Sequence, residues 1–166
     1  MSLTGKPSLS NAAPIANDGF WPELSTADLM SKYRIPAEYE DDTVNWGFTL
    51  SLVRVNNALE RAKTAMIEAG NATFDEYLNT NSQPIADAEL LDIYYQHAVF
   101  ARSKAFLLQQ FNSINRRKDT ENAAIEAGET EQFWLDESQS AISNILKHFF
   151  STETFVGNGN VHVASL

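Results

Sequence analysis

The sequence predicts an all-α protein: a helical bundle of three long and two short helices, with an extended N-terminal arm and a C-terminal tail. Three observations carry that prediction. Apolar residues recur at alternating steps of three and four in three separate stretches. Capping and helix-stop residues bracket those stretches. The two ends of the chain show no such period. A chain of 166 residues that is 43% hydrophobic has the material for one packed core. The predicted division is an arm over 1–19, a bundle over 20–153 and a tail over 154–166.

The segment Ser2 to Gly19 is rich in Ser, Asn, Ala and Pro and is expected to be an arm. Phe20, Trp21 and Pro22 follow it, a large apolar anchor that either enters the core or meets a neighbouring subunit. Ser25 with Asp28 resembles a capping box, so a first short helix is predicted from there to about Tyr33, stopped by Pro36. Beyond the acidic run Glu38, Glu40, Asp41 and Asp42, one long amphipathic helix is predicted, with Phe48, Leu52, Val55, Leu59, Ala62 and Met66 as its buried stripe. Asp41 or Asp42 is its expected cap. Gly70 and Asn71 end it.

Thr73 and Glu76 mark a second capping box, opening a short helix to about Leu78, and Asn79 to Pro84 reads as loop. From Asp87 the period resumes. Leu90, Tyr94, His97 or Ala98, Ala101, Ala105 and Leu108 form one side, and Leu91, Phe106, Leu107 and Phe111 widen it, so this helix is expected to be central. Arg116, Arg117, Lys118 and Asp119 break the pattern, and the polar stretch Glu121 to Glu131 is expected to be an exposed excursion. A last long helix from Glu131 to Phe150 places Trp134, Leu135, Ala141, Ile142, Ile145, Leu146 and Phe149 on its inner face. In the tail, Gly157 to Asn160 reads as a turn and Val161, His162 and Val163 as a short strand without a partner in the chain.

The chemistry that would mark an enzyme is missing from the pattern. There is no cysteine, which removes thiolate metal sites and thiol nucleophiles together. His97, His148 and His162 do not stand at metal-ligand spacing from one another or in a Glu-x-x-His pattern. His97, beside Tyr94 and Tyr95, reads as a hydrogen-bonded core or interface histidine. No phosphate-cradling glycine loop, nucleophile elbow or dinucleotide fingerprint occurs, and no cofactor is expected. Asn71-Ala72-Thr73 matches a glycosylation acceptor, but Thr73 already serves as a cap. Met1 to Asn17 lacks the apolar run of a signal peptide and no segment is apolar enough to span a bilayer, so a soluble chain with no membrane partner is expected.

A formal net charge of −10 argues against a general DNA-gripping surface. The triplet Arg116, Arg117 and Lys118 is the local exception, either solvated or a contact for a phosphate backbone. The candidate partner-binding residues are Phe20, Trp21, Val161, Val163 and Leu166. The strand Val161 to Leu166 is expected to add to a partner's sheet, with its alternate side chains filling pockets.

Taken together, the Phe20-Trp21-Pro22 anchor after a loose arm, the segment Tyr94-Tyr95-Gln96-His97-Ala98-Val99, the Trp134 helix and the short apolar C-terminus resemble the head completion proteins, the GPL family, of phages with contractile tails. The order and spacing fit from about Phe20 to Leu166. The resemblance implies a non-enzymatic virion protein, added after genome packaging in the host cytoplasm, that forms a ring at the head-tail junction. That ring would sit on the portal protein and seal the filled head, and it would present a surface to a neck or tail terminator protein. It implies self-association into a homododecameric ring, about twelve copies continuing the portal's symmetry. An acidic channel suits non-specific passage of genomic DNA, because it repels the genome at short range. Two other readings remain open on the sequence. One is a DNA-packaging factor like a terminase small subunit, although no basic recognition helix is present. The other is a neck or stopper protein one ring further from the portal.

Overall fold

The computed structural model describes residues 14–36, 39–115 and 130–151. Among them the chain forms six helices and one two-stranded hairpin: α1 (Thr26–Lys32), α2 (Asp41–Ala58), α3 (Glu60–Glu68), α4 (Phe74–Thr80), β1 (Pro84–Ile85), β2 (Ala88–Glu89), α5 (Leu90–Asn115) and α6 (Glu131–Phe150). The all-α prediction is correct.

Local chemistry explains the helix ends. Ser25 caps α1, its hydroxyl accepting from the Ala27 N–H. At the other end Arg34 adopts the left-handed conformation, with φ at 51°, and the Ile35 N–H reaches back to the Met30 carbonyl at 3.1 Å. Pro36 follows. Helix α3 stops in the same way but with the residue that suits the geometry. Gly70 has φ of 93°, its N–H bonds the Ile67 carbonyl, and the Asn71 N–H bonds the Met66 carbonyl. The predicted box at α4 forms: Thr73 Oγ1 accepts from the Glu76 N–H, and the Glu76 carboxylate accepts from the Ala72 N–H. Thr130 caps α6 by accepting from the Phe133 N–H.

Four expectations need correction. The predicted long second helix is two helices meeting at Leu59, where the backbone turns to φ −99° and ψ 9°. The Leu59 N–H is shared between the Val55 and Asn56 carbonyls, a local tightening that follows two weak helix formers, Asn56 and Asn57. Its apolar stripe runs through the joint unbroken, since Phe48, Leu52, Val55, Leu59, Ala62 and Met66 are all buried. Second, neither Asp41 nor Asp42 is the cap of α2. Glu40 holds that position without a side-chain bond, and the two aspartates lie in the first turn, where the helix dipole favours them.

Third, the predicted loop before the central helix contains the end of α4 and leads into the hairpin. The strands pair Pro84 with Glu89 and Ile85 with Ala88, through a tight turn in which Ala86 has φ of 54°. Strands of two residues are too short to show a period, and Ala-Asp is not a usual turn signature. The Glu89 carboxylate braces the approach, accepting from the Ser82 hydroxyl and the Gln83 N–H, both at 2.6 Å. Fourth, the most buried face of α5 is centred on Leu91, Tyr95, Ala98 and Val99, not on Leu90 and Tyr94, which are half-buried.

Helix α5 lies between α2 and α6 and packs against both. That explains why Ala98 through Ala101 and Ser103 through Ala105 are buried in succession. Small residues set the close approaches. Ser138 on α6 donates to the Ala98 carbonyl at 2.8 Å. On the α2 side Gly47 faces the Phe106 ring, so closely that any Cβ at position 47 would overlap it.

Candidate functional site

The predicted anchor is built into the chain's own core. Trp21 is 2% exposed and Phe20 6%. The Trp21 indole stacks on Tyr95 and leans on Phe74, and the Phe74 N–H donates to the Phe20 carbonyl. Neither side chain is presented to a neighbouring subunit, because folding has already covered both. Val161, Val163, Leu166, Arg116, Arg117 and Lys118 lie outside the described residues.

The described part of the predicted arm is a strap pinned across the bundle. Ile15 bridges Leu24 in antiparallel register. Asn17 Nδ2 donates to the Tyr95 hydroxyl at 2.8 Å and to the Pro22 carbonyl at 2.9 Å. Tyr95 donates to Asn56 Oδ1 at 2.8 Å, and Asn56 Nδ2 returns a bond to Asn17 Oδ1 at 2.7 Å. Three side chains from three separate segments thus close one ring of hydrogen bonds. Asp18 adds a second lock, accepting from the Phe20 and Trp21 N–H groups and from Lys63 Nζ at 2.7 Å. The boundary between arm and body therefore precedes residue 14, not residue 20.

A second polar cluster joins α1, α5 and α6. The Tyr33 hydroxyl bonds His97 Nδ1, and His97 Nε2 lies 3.1 Å from Glu137 Oε2. Burial, reinforced by the Glu137 carboxylate, pushes the Tyr33 phenol up to about 12. It therefore keeps its proton and donates to Nδ1, which leaves Nε2–H to donate to Glu137. Trp134 and Phe100 pack against the Tyr33 ring, and Lys104 Nζ sits 4.3 Å above the Trp134 ring. A third cluster pairs Tyr77 with His148 Nε2 at 2.9 Å, joining α4 to α6. Both histidines act as struts between helices. Sequence reasoning assigned His97 a hydrogen-bonded place but missed Tyr33 and Glu137, whose separations of 64 and 40 residues leave no local signal.

The outer surface carries a feature that the buried stripe concealed. Trp46 is 60% exposed and Val53 52%, seven residues apart on α2 and therefore on one face, with half-buried Leu50 between them. Phe133 on α6 is 44% exposed. Among the described residues, no three His, Asp or Glu side chains form a group able to hold a metal ion, and no helix is long and apolar enough to cross a membrane.

Fold and side chains together define a class: a helical structural protein whose polar groups brace one element against another and whose exposed aromatic residues lie on helix faces. Within that class, residues 15–152 match the family of phage head completion proteins (GPL), and the chain belongs to that family. It is a structural protein of phage head assembly, from a family that is not one of enzymes. A similar curated protein is the "Probable head completion/stabilization protein" of Haemophilus phage HP1 (strain HP1c1), 28% identical over 108 residues that cover 65% of this chain and 70% of that protein. No solved structure matches significantly.

Proposed function

We propose that this protein assembles as a ring on the portal vertex after DNA packaging, where it completes and seals the filled head and joins it to the neck or tail. The observation that carries this reading is the family match across 15–152, which spans the whole braced bundle. A body cross-linked at Asn17–Tyr95–Asn56 and at Tyr33–His97–Glu137 suits a part that must hold its shape under the pressure of a packed genome. The ring has about twelve copies, matching the portal it continues. Its partners are further copies of itself, the portal protein and a neck or tail terminator protein, with genomic DNA crossing its channel non-specifically. Within this reading Val161, Val163 and Leu166 dock on a partner by strand addition, and Arg116, Arg117 and Lys118 contact the DNA end.

The test is sedimentation and negative-stain imaging of the purified protein, alone and mixed with portal or DNA-filled heads of the same phage. A ring capping the portal supports the proposal. Failure to bind filled heads overturns it. Deleting the residues after Thr154 is expected to abolish docking while leaving the helical circular dichroism intact.

A further inference from the structure

Helix α2 carries two apolar stripes. The inner one, through Phe48, Leu52 and Val55, is core. The outer one, Trp46, Leu50 and Val53, touches no other element that would explain a tryptophan left 60% exposed. A contiguous exposed apolar face centred on Trp, with an arginine at its edge, has the composition of a binding hot spot. Arg54 supplies that edge, and it lies close enough to Arg102 on α5 to disfavour the second charge. Arg102 Nε is itself buried without a hydrogen-bond partner among the described residues. In a chain of net charge −10, two neighbouring guanidinium groups with an unanswered donor make a place that fits a carboxylate.

The matching surface is on α6. Exposed Phe133 is followed at the next turn by exposed Asp136, with Ser140 on the same face. Asp136 is engaged only by Gln132 of its own helix, at 2.8 Å, so one carboxylate oxygen remains free to accept. Because α5 separates α2 from α6, the two faces look in different directions and cannot meet within one molecule. Two complementary, non-identical faces on different sides of one body are what a head-to-tail ring requires.

We infer that the Trp46–Leu50–Val53 face of α2, with Arg54 and Arg102, receives the Phe133–Asp136 face of α6 from a second copy of this chain. This interface rests on the proposed ring and specifies its lateral contact.

The absence of cysteine makes the test direct. Val53→Cys and Ser140→Cys, combined in the full-length chain and treated with a short bis-maleimide on assembled heads, are expected to give a ladder of covalent multimers beyond the dimer. Each single variant is expected to stay monomeric. Adding Trp46→Asp should lower the cross-linked fraction about tenfold or more. Arg54→Glu should lower it as well, and Asp136→Arg in the same chain should restore it. Dimers from Val53→Cys alone would mean that α2 meets α2, and a cross-link from Val53→Cys to portal would give this face to another partner. Either result overturns the inference. A ring visible on heads without the ladder overturns the interface and leaves the ring standing. Absence of both overturns the two together.

Discussion

The indole of Trp21 lies flat on the ring of Tyr95, with centroids 4.6 Å apart and 6° between the planes. That stack joins the N-terminal strap to the central helix, and Phe74 closes it from α4 at 4.9 Å from the indole. Trp21→Ala is therefore expected to cost about 3–5 kcal/mol, the range for emptying a buried aromatic site. Urea unfolding followed by far-UV circular dichroism measures this. A loss below about 1 kcal/mol would mean that the strap contributes little to the fold.

Tyr95→Phe keeps the stack and removes one hydroxyl. Asn56 Oδ1 then loses its donor and Asn17 Nδ2 one of its two acceptors. The expected cost is about 1–3 kcal/mol, which lowers Tm by roughly 2–10 °C for a chain of this size. In a double-mutant cycle with Asn56→Ala, the two losses are expected to be less than additive, since the residues share one closed ring of bonds.

Gly47 permits the approach of α2 to Phe106 on α5. Gly47→Val is expected to destabilise by about 1–3 kcal/mol through overpacking, despite the higher helix propensity of the new residue. Gly47→Val combined with Phe106→Ala should recover part of that loss. Thermal denaturation of the two variants decides the point.

Partial burial pushes the Asp18 carboxyl up, but the bonds from Lys63 and from the Trp21 and Phe20 N–H groups outweigh it and hold it below its ordinary value of 3.8. A carboxyl depressed in the folded state contributes stability that is fully present above its unfolded value and is lost as the pH falls through the folded one. Wild type is thus expected to lose more stability than Asp18→Asn between about pH 5 and pH 2. Urea midpoints across that range should converge on acidification, and midpoints that stay parallel would exclude the lock.

Much of this architecture was legible along the chain because helices and their ends are local. A stripe at steps of three and four marks which face is buried, and Ser25, Thr73 and Gly70 mark boundaries through bonds that reach only three to five residues. The family resemblance was legible for a similar reason, since it rests on the order and spacing of segments. Tertiary structure alone decided the rest. Only folding shows that Trp21 belongs to this chain's own core, because its neighbours Phe74 and Tyr95 arrive from distant helices. Only folding shows that Asn17 fastens the strap across separations of 39 and 78 residues. The exposed face of Trp46 and Val53 was present in the sequence as a second period on α2, but periodicity reports which residues share a face and is silent on what covers it. That depends on where α5 and α6 come to lie.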